Sequence, residues 1–229
     1  AGVSPIVMDE LFDRIIEVAQ QEEASLILIG AKGLRATLGI LLGGVVQQVA
    51  EHADHPVMVV RAPYSGLKRI LLVVDGSEES TAMIECMSSF PIPSGATFTV
   101  LHVAPPIPSE DQIVQYWPSG MDLSYSVPIE DIRKEIEEQA NKEESYGKKA
   151  LQEALEALEN AGIKAKSVFM RGDAATEIIQ YAKDNEIDLI SSGGRGLGPV
   201  KSWLLGSVSR KLLHYAPCSV LVVKSKLSK

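Results

Sequence analysis

The sequence IDLISSGGRGLGPVKSWLLGS, residues 187–207, decides how the rest of the chain is read. A short aliphatic run, Ile187 to Ser192, has strand character and ends in Gly193-Gly194-Arg195-Gly196. Nine residues later Gly206-Ser207 opens a helical pattern that reaches Tyr215 with Val208, Leu212 and Leu213 on one face. Strand, glycine loop and helix in that order suit a bound phosphate. Glycines let the backbone approach closely, and the first free amides of the helix point at an anion, aided by the macrodipole. Ser207 adds a hydroxyl donor, and the first turn, Val208-Ser209-Arg210-Lys211, holds two bases and no acid. A P-loop would place a Lys-Ser/Thr pair after its last glycine, and a dinucleotide fingerprint would follow the first strand, so neither describes this stretch.

Working outward, short β-branched runs alternate with helical ones. Strands are expected near Lys68 to Val74, Thr97 to Val103, Lys166 to Arg171, Ile187 to Ser192 and Ser219 to Lys224. Helices are expected over Ile129 to Asn160, Ala174 to Asp184 and Ser207 to Tyr215, with Ser77 as the N-cap of another. Ser145-Tyr146-Gly147 marks a place where the longest helix could divide. This alternation predicts a mostly parallel, doubly wound α/β sheet, whose ligands sit beyond the carboxyl ends of the strands where strand order reverses. The ends in question are Asp75-Gly76-Ser77, His102-Val103-Ala104 and Ser192 to Gly196. Asp75 suits a base amino group or a ribose hydroxyl, or else only starts the Asp-Gly-Ser turn. Glu78 and Glu79 would repel a phosphate from the helix behind Ser77. The stretch from Ala104 to Tyr125, with four prolines, reads as an irregular loop able to cover a ligand.

An internal repeat runs at a constant offset of 163. Ile15 and Ile16 meet Ile178 and Ile179, Gly30 and Gly33 meet Gly193 and Gly196, and Leu41-Leu42-Gly43 meets Leu204-Leu205-Gly206. Val57, Val59 and Val60 meet Val220, Val222 and Val223. One structural unit is used twice. Residues 67 to 165 have no upstream partner, so residues 1–62 are expected to form a partial unit, 63–66 a linker and 67–229 a complete unit. A truncated copy and a sequence lacking its first strands both fit. Val57 to Arg61 and Val220 to Lys224 both end their units as exposed apolar edges, which should pair.

Composition narrows the function classes. The formal charge of −8 and pI near 5.1 disfavour nucleic acid, and the longest apolar candidate, Leu38 to Val46, is too short to span a bilayer. No export signal is apparent at the start, which makes the cytoplasm the expected location. Cys86 and Cys218 are too few for a disulfide framework or a zinc site. His52 and His55 beside Glu51 and Asp54 have a spacing compatible with a metal, but a surface helix end explains them as well.

Four stretches together resemble the universal stress protein family: Ile70 to Ser77, Leu101-His102-Val103, Gly193-x2-Gly196-x9-Gly206-Ser207, and His214 to Val223. The resemblance covers Leu67 to Lys226 fully and residues 6 to 62 as the second half of another copy, a tandem form. In ATP-binding members it implies a five-stranded parallel sheet of order 3-2-1-4-5. It also implies a base end held at Asp75 and the Val103 backbone, with ribose and phosphates held by Gly193, Gly196, Gly206 and Ser207. The candidate nucleotide-binding set is therefore Asp75, Val103, Ser192, Gly193, Arg195, Gly196, Gly206, Ser207 and Val208. The expected ligand is ATP, or AMP or ADP, with Mg2+ accompanying the nucleotide. The expected role is a cytosolic, stress-related nucleotide switch, and the resemblance implies an antiparallel contact of the last strands, between the two halves as an intrachain pseudo-dimer or between two chains as a homo-oligomer. Two rivals stay open: an ATP-hydrolysing or nucleotide-transferring enzyme, and a nucleotide-free interaction module. The first copy departs from the pattern, because Gly44 replaces the serine after Gly30-x2-Gly33-x9-Gly43 and no aspartate-bearing strand precedes it.

Overall fold

A computed structural model of the chain describes residues 8–31, 42–64, 66–109, 129–196 and 205–225. The first part of the chain forms α1 (Met8–Gln21), β1 (Ile27–Gly30), α2 (Gly44–His52) and β2 (Val57–Val60). The second forms β3 (Arg69–Val73), α3 (Glu78–Ser88), β4 (Thr97–Ala104), α4 (Ile129–Asn160) and β5 (Ala165–Arg171). It continues with α5 (Ala174–Asp184), β6 (Leu189–Gly193), α6 (Ser207–Tyr215) and β7 (Ser219–Val223). The proline-bearing loop expected after β4 falls largely outside the described residues.

Helix starts follow local chemistry. Ser77 Oγ accepts from the Ser80 amide at 3.2 Å and Asp173 Oδ1 from the Thr176 amide at 3.1 Å, capping α3 and α5. The expected division of α4 does not occur, and one 32-residue helix runs through Ser145-Tyr146-Gly147. Gly147 is the crossing point over β4, where a Cβ would stand 2.5 Å from His102 Cδ2. The glycine thus serves a close approach and not a break.

The strands form one seven-stranded sheet in the order β1-β2-β7-β6-β3-β4-β5. Taken alone, β3 to β7 follow the order 3-2-1-4-5 and are parallel throughout. Two expectations need correction. The sheet is mixed and seven-stranded, not a five-stranded parallel one, and residues 1–62 do not make a separate copy. β1 and β2 extend the same sheet past β7, because two apolar edges in one chain satisfy their backbone groups by pairing. The antiparallel junction pairs Val57 with Val222, Met58 with Leu221 and Val59 with Val220. At the offset of 163, Met58 faces its own counterpart and the flanking valines exchange places.

Helices cover both faces. Leu71, Leu101, Ile190 and Val220 point to a core shared with α1, α2, α5 and α6. Ile70, Leu72, Val100 and Leu189 point to the other, under α3 and α4, where Met83, Met87, Leu151 and Leu158 meet them. Alternate strand residues thus serve opposite cores. Past β2 the α3/α4 layer ends, and Leu28 is 64% exposed. No helix among the described residues is long and apolar enough to cross a membrane.

Two cations tie the parts of the sheet together. Arg61 Nη2 donates to the Leu213 and His214 carbonyls at 2.5 and 3.2 Å, at the C-terminal end of α6. Lys224 Nζ donates to the Glu51 and Ala53 carbonyls at 2.7 and 3.0 Å, at the C-terminal end of α2. Arg61 and Lys224 are themselves equivalent at the offset of 163. Each base satisfies end carbonyls of the other part's last helix and meets its negative dipole end. Burial pushes both pKa values down, that of Lys224 to about 8, with Asp54 partly offsetting the effect there.

Gly193 lies against the first turn of α3, where a Cβ would stand 2.9 Å from Glu79 Cβ and 3.0 Å from the Glu79 carbonyl carbon. Gly193→Ala should cost about 1–3 kcal/mol in urea unfolding, the range for overpacking. Gly44, the first residue of α2, has open space where a Cβ would stand. Gly44→Ala should therefore be neutral or stabilising by up to about 1 kcal/mol. Lys224 titrates near 8 when folded and near 10.4 when unfolded, so between those values the unfolded chain holds the extra proton. Its contribution is unfavourable at pH 7 and is relieved as pH rises from 8 to about 10.4. Unfolding curves of the wild type and Lys224→Met across that range should show the difference moving in favour of the wild type.

Candidate functional site

The chain leaves β3 towards β4 and β5 on one side and later fills β6 and β7 on the other. Strand order therefore reverses between β3 and β6, and a cavity of about 460 Å3 opens at their carboxyl ends. All nine candidate residues, Asp75, Val103, Ser192, Gly193, Arg195, Gly196, Gly206, Ser207 and Val208, stand on its wall. Val73, Val74, Ala174, Ile178, Leu205, Ser209 and Arg210 complete it.

Backbone contacts shape the glycine loop. The Gly194 amide donates to Val223 O at 2.6 Å and the Gly206 amide to Gly194 O at 2.8 Å, closing both ends of the loop onto β7 and β6. Ser209 Oγ donates to Gly193 O at 2.7 Å and fixes the first turn of α6 against the strand. Gly206, the N-cap of α6, offers no side-chain acceptor. The first amides of α6 thus lack the cap that α3 and α5 possess, and they lie at the cavity wall.

Asp75 is partly spent on its own turn. Its Oδ1 accepts from the Ser77 amide at 3.0 Å and the Ser77 hydroxyl at 2.5 Å. Its Oδ2 lies 2.5 Å from where a Gly196 Cβ would stand, so glycine there lets the loop pass over the carboxylate. Ser192 Oγ is buried on the cavity wall with no hydrogen-bond partner among the described residues. His102 is not on the wall. Its ring Nδ1 donates to Val74 O at 2.9 Å, the ring stacks on Phe169 at 5.8 Å, and burial pushes its pKa down despite that hydrogen bond.

Arg195 lines the cavity, but its guanidinium meets Glu79 Oε1, at 2.9 Å from Nη2 and 3.1 Å from Nε. Glu79 sits in the first turn of α3 and is buried. The acid expected to repel phosphate from α3 is thus held by the arginine expected in the phosphate loop. Ala174 and Ile178 were not among the sequence candidates, because an i, i+4 apolar pair on a helix reads as core. Arg210 was visible only as a base in the first turn of α6.

The loop of the first part repeats this backbone. The Ala31 amide donates to Val60 O at 2.9 Å and the Gly43 amide to Ala31 O at 3.0 Å. Gly44 stands where Ser207 stands in the second loop, while Lys32, Gly33 and Arg35 lie outside the described residues. Nearby, His52 Nδ1 donates to Gln48 O at 3.0 Å, and no three potential metal ligands converge among the described residues.

Residues 6–61 and 66–224 match the universal stress protein family. The universal stress protein YxiE of Bacillus subtilis is 29% identical over 156 residues, 68% of this chain and 98% of its own length. The solved structure of MJ0577, a universal stress protein of Methanocaldococcus jannaschii, superposes with a TM-score of 0.55 at 25% identity, over 70% of this chain and 97% of its own. A universal stress protein structure from Archaeoglobus fulgidus has a TM-score of 0.59 at 20% identity, over 95% of this chain and 66% of that longer one, a likeness of fold. Glycine loop, strand order and sequence similarity agree over most of the residues, and the chain belongs to the universal stress protein family.

Proposed function

We propose that the protein binds one adenine nucleotide, ATP or else AMP or ADP, in the cavity between β3 and β6, and acts as a nucleotide-dependent switch in a stress response. The observation that carries this reading is the convergence of the nine residues on one cavity whose wall includes an uncapped helix N-terminus. A volume of about 460 Å3 lies within the range of small-molecule sites. The residues fit the ligand's parts. The amides of α6 with Ser207 suit phosphates, the unpartnered Ser192 hydroxyl suits a polar group deep in the cavity, and Asp75 with the Val103 backbone suits the base and ribose. Mg2+ would arrive on phosphate oxygens, since no cluster of protein ligands converges among the described residues.

A switch is favoured over an enzyme by the wall chemistry. Among the described lining residues Asp75 is the one carboxylate, with Oδ1 engaged by Ser77, and none is a histidine or cysteine. We further read residues 1–62, 63–66 and 67–229 as a partial repeat, a linker and a complete unit that share one sheet, the repeat being part of that sheet and not a separately folded copy. Two matched stretches and the symmetric β2–β7 register support this. The acidic charge and two free thiols support a cytoplasmic setting without nucleic-acid partners.

Calorimetric titration with ATP should give a molar ratio near one. Gly206→Val should abolish binding, because a Cβ there already meets Arg195 Cα at 3.3 Å, while Gly43→Val should leave it intact. Ser207→Ala should weaken ATP binding by about 1 kcal/mol or somewhat more and leave adenosine unaffected. A ratio near two, or equal losses for ATP and adenosine at Ser207→Ala, would contradict the assignment.

A further inference from the structure

The cavity borrows one charged group from outside its own part of the chain. Glu51, in the last turn of α2, is only 6% exposed, and its Oε1 stands 3.5 Å from Arg210 Nε. Arg210 belongs to the first turn of α6 and lines the cavity. We propose that Glu51 is a specificity-determining residue that acts through Arg210, restraining the cavity's preference for ligands carrying more phosphates. The proposal rests on the nucleotide reading of the same cavity.

Three features support it. Arg210 Nε is buried and makes no hydrogen bond among the described residues, because its contact with Glu51 is an ion pair without hydrogen-bond geometry. Arg210 is therefore held by charge and retains donors for a better acceptor, and phosphate oxygens match a guanidinium well. Second, Glu51 cannot follow Arg210 into the cavity. Its side chain accepts from Gln47 Nε2 at 3.2 Å, its carbonyl accepts from Lys224 Nζ at 2.7 Å, and α2 leads directly to the β2–β7 junction. Third, the same lysine borders the glycine loop, since a Cβ on Gly194 would stand 2.7 Å from Lys224 Cγ.

A buried carboxylate beside a partly exposed cation on the wall of an anion site has a definite sign of effect. A phosphate that attracts Arg210 competes with Glu51, and the carboxylate also lowers the local potential directly. A ligand without phosphates leaves the pair undisturbed. The first part of the chain therefore reaches the cavity of the second by charge, through a contact that exists only because β2 lies beside β7.

The test measures the affinities of ATP, ADP and adenosine for the wild type, Glu51→Gln, Arg210→Gln and the double variant by calorimetry. Glu51→Gln keeps the shape, the Gln47 contact site and the backbone carbonyl, and unchanged adenosine affinity reports an intact cavity. Glu51→Gln should raise ATP affinity roughly three- to tenfold, ADP affinity less, and adenosine affinity not at all. Arg210→Gln should lower ATP affinity, and in that background Glu51→Gln should gain clearly less. An unchanged or lower ATP-to-adenosine ratio in Glu51→Gln overturns the proposal while leaving the nucleotide reading standing. An equal gain with Arg210 absent overturns action through that residue. Wild-type protein that binds neither ATP nor adenosine overturns the nucleotide reading and the proposal with it.

Discussion

The 2.8 Å hydrogen bond from the Gly206 amide to the Gly194 carbonyl determines where α6 begins, and the cavity follows from it. It closes the excursion over residues 195–205 at its base, so the strand end and the helix start are neighbours whatever the intervening residues do. A Cβ at position 206 would stand 3.3 Å from Arg195 Cα, a tight approach that favours glycine at the contact. Glycine in turn brings no side-chain oxygen to the N-cap. The uncapped helix terminus is therefore a consequence of closing the loop by backbone. The first part of the chain obeys the same constraint, with Gly43 bonded to Ala31.

Much of this was legible because the controlling signals are local. The bounds of α4, α5 and α6 match the sequence reading, and the strand bounds match to within two residues. The nine candidate positions share one wall because strand ends and a glycine loop follow from order along the chain. What failed was decided by partners distant in sequence. Ser145-Tyr146-Gly147 looks like an interruption until β4 supplies His102 against Gly147. The pairing of Arg195, a residue of the cavity wall, with Glu79 was not legible either, since the two stand over a hundred residues apart. The apolar edges of β2 and β7 predicted pairing and the family resemblance its antiparallel sense, but an edge carries no information on whether its partner lies in the same chain. That choice made one seven-stranded sheet out of an expected five-stranded one.

The junction is symmetric in kind as well as register. Each side contributes an aliphatic last strand, a helix ending beside it, and a base just past the strand. Arg61 and Lys224 each donate to end carbonyls of the opposite helix. Burying a cation is costly, and the lowered pKa values show that cost at both sites, but the helix carbonyls they meet would otherwise lack partners. Specific register follows, because sliding β2 by one residue along β7 would invert the faces of Val57, Met58 and Val59 and displace both bases.

The same accounting explains why the anion end proposed for the cavity is assigned to α6 and not to α3. The first amides of α3 are served by Ser77, and its first turn carries Glu78 and Glu79, acids that complement its dipole without a ligand. Arg195 then neutralises Glu79 and closes that corner. The first turn of α6 carries no acid, and its cap has no side chain. Of its two bases, Lys211 reaches out to Asp173 at 3.4 Å, while Arg210 stays on the wall beside Glu51. Charge compensation within the fold is therefore complete at one helix start, while at the other Asp173 meets Lys211 and one carboxylate from the first part of the chain meets Arg210. That leaves α6 as the terminus where a ligand's negative charge lowers the energy most.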